Sequence, residues 1–256
     1  MTAELSDLVR RLGGDVYAVP ALREVPRLDQ VPGLIDALSA GRFSVVIFLT
    51  GAGVMALLRE AERLGRLDET LTALRAATIA CRGPKPLAAL KRHDVPVSIR
   101  AVEPFTTTQL LEALEPVELT ATGVGLVHYG EPNQALADAL SARGARLEAW
   151  CLYEWLMPED RAPLAGLVRD LIDERVDAIA FTSQIQWRHL FQAAADLGRS
   201  DALVDVLNRH TLVAAIGPVC ASALRARGVT PDILPAHPNM GSLIVALADY
   251  VELTET

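Results

Sequence analysis

Long apolar runs, clustered basic residues, paired cysteines and metal-spaced histidines are all missing from this 256-residue chain. Each gap removes a class of function. No apolar segment reaches the roughly 18 residues that a membrane span needs, and no charged-then-apolar leader opens the chain, so the expectation is a cytoplasmic protein with no membrane partner. Lys and Arg number 24 against 32 Asp and Glu, a formal net charge of −8. With no basic run to neutralise phosphates, no nucleic-acid partner is expected. Cys81, Cys151 and Cys220 are odd in number, widely spaced and set in apolar sequence, which fits buried, reduced thiols better than a disulfide framework or a zinc site. His93, His128, His189, His210 and His237 lack metal spacing, and no serine sits in a nucleophile-elbow pattern. No metal and no hydrolase triad are therefore expected. The histidines read as structural, His128 least clearly so, and Trp150, Trp155 and Trp187 as packing residues.

What is present is a soluble globular composition, 51% hydrophobic and 22% charged, arranged as strands alternating with helices. Helix Thr2 to Leu12, closed by Gly13-Gly14, leads to a short strand at Val16 to Val19 and a proline-bounded connector, Pro20 to Pro26. After these come a helix near Gln30 to Ala40, the strand Phe43 to Leu49 and a helix opening at Thr50-Gly51. Strand Ala77 to Cys81 follows, then a helix opened by Gly83-Pro84, strand Val97 to Ile99 and helix Thr106 to Leu114. This succession predicts mostly parallel sheets. Arg146 to Pro158 begins as a strand and ends as an aromatic, proline-closed connector centred on Tyr153.

The second half repeats the first at an offset of 132 to 134 residues. Ala80-Cys-Arg-Gly83-Pro84 matches Ala214-Ala-Ile-Gly217-Pro218, and Phe48-Leu49-Thr50-Gly51 matches Ala180-Phe181-Thr182-Ser183. Two α/β units are expected, and Asp15 to Arg27 aligns with Arg146 to Pro158, so both stretches read as crossings between them. One strand breaks the match. Val124 to Tyr129 precedes the helix of the second copy, and the first copy has no counterpart, so either the chain begins late or the first sheet lacks a strand, a central one in a doubly wound sheet.

The loops after the strands carry the candidate chemistry. Thr50-Gly51, Arg82-Gly83-Pro84-Lys85, Gly130-Glu131, Thr182-Ser183 and Gly217-Pro218 each precede a helix. Helix N-termini with free N–H groups allow an acidic protein to bind a carboxylate-rich ligand with few cations. Thr50 to Ala56 also fits the G-x-G-x-x-A dinucleotide pattern, yet Ile79 to Arg82 supplies no acidic residue for a ribose, and Thr182 to Ile185 contains no glycine. Nicotinamide binding is the weaker reading of that turn.

Taken together, Val19-Pro20-Ala21-Leu22, Phe48 to Val54, Leu152-Tyr153, Phe181-Thr182-Ser183 and Ala215-Ile216-Gly217-Pro218 with Gly228 resemble the uroporphyrinogen-III synthase family across nearly the whole chain. The resemblance implies two flavodoxin-like or Rossmann-like parallel-sheet domains joined by a two-stranded linker: residues 1–19 with 160–256, residues 28–145, and linkers 20–27 and 146–159. It implies closure of the linear tetrapyrrole hydroxymethylbilane to uroporphyrinogen III, with inversion of the last pyrrole ring and loss of water, by a monomer without metal or organic cofactor. Tyr153 matches the linker tyrosine that serves as the family's candidate acid. The substrate-binding set is Thr50, Gly51, Arg82, Gly83, Lys85, Gly130, Thr182, Ser183, Gln184, Gly217, Pro218 and Val219, with Arg82 and Lys85 facing carboxylates. Two departures stand out: Trp155 where a threonine is common, and Val219-Cys220 in place of a threonine pair. They motivate a rival reading, a non-catalytic relative that binds a tetrapyrrole or another polyanion.

Overall fold

The computed structural model describes residues 2–254, and these divide into two compact units, Glu24–Trp155 and a discontinuous one made of Met1–Arg23 and Leu156–Thr256. The chain opens with α1 (Thr2–Arg11), leaves the discontinuous unit within β1 (Arg23–Pro26) and returns within β7 (Tyr153–Leu156). These two strands pair with each other. The continuous unit follows β1 with α2 (Val31–Ser39), β2 (Val45–Phe48), α3 (Gly51–Arg63), α4 (Leu67–Ala76), β3 (Thr78–Cys81) and α5 (Pro84–Lys91). β4 (Ile99–Arg100), α6 (Thr107–Leu114), β5 (Gly123–Val127), α7 (Gln134–Ala142) and β6 (Arg146–Trp150) complete it.

The five strands from β2 to β6 form a sheet of order β4-β3-β2-β5-β6, parallel throughout. Chain order changes direction between β2 and β5. Their carboxyl ends, Phe48 opposite Val127, therefore flank the switch point at which open α/β sheets bind ligands. The central strands read as unbroken apolar runs, Val45–Phe48 and Gly123–Val127, and every residue in both is buried. Helices on both faces demand this. One layer of core gathers Leu34, Phe48, Leu57 and Ile79; the other gathers Ile47, Leu110, Leu126 and Leu140.

The discontinuous unit holds α8 (Ala162–Ile172), β8 (Ala178–Phe181), α9 (Gln184–Asp196), α10 (Ser200–Arg209), β9 (Leu212–Ala215), α11 (Pro218–Arg225) and α12 (Met240–Thr254). β8 pairs with β9 in parallel, and a single bridge from Ala214 to Ile233 extends that sheet. Its core gathers Leu164, Phe181, Leu190, Leu203 and Leu224.

Two expectations change. The strand predicted at Val16 to Val19 is irregular chain. Its repeat counterpart, β6, is held only by β5, and among the described residues no strand occupies the corresponding position beside β8. Strand-forming residues without a ladder partner do not make a strand. For the same reason β8 is mostly half-buried, whereas its counterpart β2 is buried throughout. The second change concerns Arg146 to Pro158, expected to be a crossing as a whole. Arg146–Trp150 is the edge strand of the five-stranded sheet, in register with Gly123–Val127, because its alternation suits an edge. Only the part from Tyr153 onward pairs with β1.

Candidate functional site

Thr50 ends the loop after β2 in an extended conformation and caps α3, its hydroxyl accepting from the Gly53 N–H at 3.1 Å. That bond satisfies one of the free donors of the first helical turn. The same hydroxyl lies 2.9 Å from the hydroxyl of Tyr153 at the start of β7. Tyr153 is 3% exposed. Burial raises its pKa, while the Thr50 hydrogen bond, the Gly130 main chain and the Arg82 charge pull it back and Glu24 adds to the rise. The phenol is therefore a proton donor through the neutral range, held in one orientation.

Two glycines permit this geometry. A Cβ on Gly51 would meet the Lys85 carbonyl oxygen at 3.1 Å, so the first turns of α3 and α5 approach backbone to backbone. A Cβ on Gly130 would lie 2.6 Å from the indole of Trp155, whose N–H of the main chain donates to the Gly130 carbonyl at 3.0 Å. Trp155 packs edge-on against Tyr153, ring centroids 5.9 Å apart, and at a 35° tilt against Tyr129 at 5.6 Å. Arg82, which follows β3, places its guanidinium 4.9 Å from the centre of the Tyr129 ring. Burial lowers the Arg82 pKa, opposed by Tyr129 and Tyr153. Gly83 caps α5 with extended backbone beside Phe105, and Lys85 is exposed on its first turn.

The continuous unit thus brings together Thr50, Gly51, Arg82, Gly83, Lys85, Gly130 and Tyr153, at the ends of β2, β3 and β5 and the start of β7. Sequence reasoning missed Tyr129, and read Trp155 as packing. The signal for both was present: two aromatics next to a predicted strand end and next to the candidate acid.

In the discontinuous unit the expected residues are engaged in local capping. The Gln186 side-chain oxygen accepts from the Thr182 N–H at 2.7 Å, the Ser183 N–H at 3.1 Å and the Thr182 hydroxyl at 3.2 Å. Gln184 accepts from Arg188 at 3.2 Å. Gly217 caps α11 ahead of Pro218, close against Pro238, and Val219 is 47% exposed. His128 is buried, accepts from the Asn133 N–H at 3.1 Å and is held neutral by desolvation; His189 lies 2.6 Å from the Ala21 carbonyl. Burial pushes the thiols of Cys81 and Cys220 up to about 12 and about 11. Among the described residues no cluster of His, Cys, Asp and Glu has metal-binding geometry, and no helix is long and apolar enough to cross a membrane.

The family model described as uroporphyrinogen-III synthase HemD matches residues 3–245. The chain belongs to the uroporphyrinogen-III synthase family. It is 34% identical over 259 residues to the uncharacterized protein YjjA of Bacillus subtilis, covering 99% of this chain and 94% of that one. A putative uroporphyrinogen-III synthase of Methanothermobacter thermautotrophicus is 29% identical, with 96% and 93% covered. Among solved structures, a mutant uroporphyrinogen III synthase from Thermus thermophilus superposes with a TM-score of 0.77 at 27% identity, covering 98% of this chain and 94% of that one. The mixed α/β architecture with its parallel five-stranded sheet is thus the two-domain fold of the synthase family.

Proposed function

We propose that this member of the synthase family is an active uroporphyrinogen-III synthase, closing hydroxymethylbilane to uroporphyrinogen III with loss of water and inversion of the last ring, without a cofactor. The observation that carries the reading is the Tyr153–Thr50 hydroxyl pair, 2.9 Å apart, beside the switch point of a parallel sheet. In the first step the C–O bond to the terminal hydroxyl breaks, oxygen keeps the electron pair, and a proton from Tyr153 completes the departing water. The pyrrole nitrogen stabilises the resulting azafulvenium cation. The cation then bonds to the substituted α-carbon of the last pyrrole, and the bond from that carbon to its original bridging methylene breaks to give a second azafulvenium. This methylene bonds to the free α-carbon of the turned ring, and the proton lost there on rearomatisation restores the phenol. The acid step lowers the barrier to leaving, and the protein otherwise folds the chain so that its ends meet. Thr50 holds the phenol; Gly51 and Gly83 offer main-chain groups; Gly130, buried with its carbonyl accepting from Trp155, holds the aromatic wall in place; Lys85 faces carboxylates. In the discontinuous unit, Gly217, Pro218 and Val219 are proposed to offer main-chain contacts and Thr182, Ser183 and Gln184 side-chain contacts, since the Thr182 and Ser183 N–H groups are committed to Gln186.

Assay of the purified protein with hydroxymethylbilane tests this: the type III isomer should form faster than spontaneous type I closure. Type I product alone, at the uncatalysed rate with folded protein, would overturn it. A second reading, a tetrapyrrole- or polyanion-binding relative without turnover, is favoured by the burial of Tyr153 behind Trp155; tight binding without closure would establish it.

A further inference from the structure

Among the described residues no carboxylate forms an ion pair with Arg82. It is half-buried, its guanidinium lies 4.9 Å from the centre of the Tyr129 ring, and the titratable groups acting on its charge are the phenols of Tyr129 and Tyr153. A desolvated charge left this way costs free energy that the fold does not recover. The internal repeat shows that the fold does not require it. Gly83-Pro84 matches Gly217-Pro218, so Arg82 corresponds to Ile216, a partly buried aliphatic packed into its own unit's core. The same strand-end position accepts an apolar side chain in one unit and carries an uncompensated guanidinium in the other, beside Tyr129, Trp155 and the Tyr153–Thr50 pair.

We propose that Arg82 is a carboxylate anchor: it takes one acidic side chain of a pyrrole ring, while the neighbouring faces of Tyr129 and Trp155 take the ring that bears it. This deepens the proposed function, on which it rests, by naming the residue that fixes which part of the substrate lies beside Tyr153. Arginine suits the task because its planar fork donates two parallel hydrogen bonds to a carboxylate and stacks on aromatic faces at once.

The test compares the intact protein with Arg82→Ile and Arg82→Lys, using an octacarboxylate porphyrin as a non-reactive binding probe, hydroxymethylbilane turnover, and thermal denaturation. Arg82→Ile should weaken probe binding about 10- to 100-fold, the range for a lost charge-assisted hydrogen bond, flatten its salt dependence and raise KM more than it lowers kcat. Arg82→Lys should recover part of the affinity. The Arg82→Ile protein should melt at the same temperature or higher, since a buried charge has been removed. A lower melting temperature with unchanged probe affinity and KM would overturn the proposal, because Arg82 would then serve the fold. Probe binding that depends on Arg82 in a protein giving no type III product would instead sink the synthase reading and leave the anchor standing. Type III turnover with affinity and KM indifferent to Arg82→Ile would do the reverse.

Discussion

The indole of Trp155 lies over Gly130 so closely that a single added carbon on Gly130 would come within 2.6 Å of the ring. Trp155 in turn contacts both Tyr129 and Tyr153, so this one glycine sets the aromatic wall around the proposed acid. Gly130→Ala must push the indole aside. The expected result is a loss of about 1–3 kcal/mol in stability, a change in tryptophan fluorescence and reduced type III formation; an unchanged spectrum would show that the ring has room to shift.

Tyr153→Phe removes the proposed proton donor and keeps the ring. A fall in kcat of about 100-fold or more, with little change in KM, is expected for loss of an acid, measured by separating the type I and type III products. A fall of less than tenfold would assign Tyr153 to positioning.

The pH dependence follows from the direction of the Tyr153 shift. Burial raises its folded pKa above the unfolded value of about 10, so the neutral phenol is the folded form and its share of stability is fully present below about pH 10. It is lost as pH rises through the higher folded value. Thr50→Val deletes a hydrogen bond that lowers this pKa and should move the alkaline limb of kcat further up, as read from a pH–rate profile and a phenolate absorbance titration.

At the acid end, Arg66 donates to Glu69 at 2.7 and 2.9 Å and to Asp36 at 2.7 Å, tying α4 to α2. The hydrogen bond from Arg66 holds Glu69 at about 2, below its unfolded value. Stability from this pair is present above about pH 4.3 and is lost as pH falls toward 2. Arg66→Met should flatten that part of the stability–pH curve obtained by denaturant titration. The effect is expected to be modest because Glu69 is exposed.

Gln186 holds the loop before α9 through its side-chain oxygen, which caps Thr182 and Ser183. Gln186→Ala should cost about 1 kcal/mol, read as a lower melting temperature.

Much of this was written in local patterns. The apolar runs at Val45–Phe48 and Gly123–Val127 announce buried parallel strands, and the repeat around Gly83-Pro84 and Gly217-Pro218 announces two units. Tyr153 and Thr50 were visible as separate candidates, but their contact was not: they are 103 residues apart and meet only because β7 returns past the end of β2. The Arg82–Tyr129–Trp155 group escaped for the same reason, since three strands and a glycine assemble it. Ser183 was read as a ligand donor although Gln186, three residues on, completes a helix-capping signature. Val16 to Val19 shows the opposite failure, a correct local preference that lacks the neighbouring strand needed to express it.

The half-buried β8 makes the two units unequal in how long their amides hold hydrogen. In the continuous unit, β2 lies between β3 and β5, and exchange there requires the whole sheet to part. Among the described residues strand β8 is paired on one side, with β9, so its outward amides reach solvent through small local openings. Deuterium uptake should therefore label Ala178–Phe181 well before Val45–Phe48, although the two segments are copies of one pattern. Heat and protease should likewise enter the protein through the discontinuous unit first.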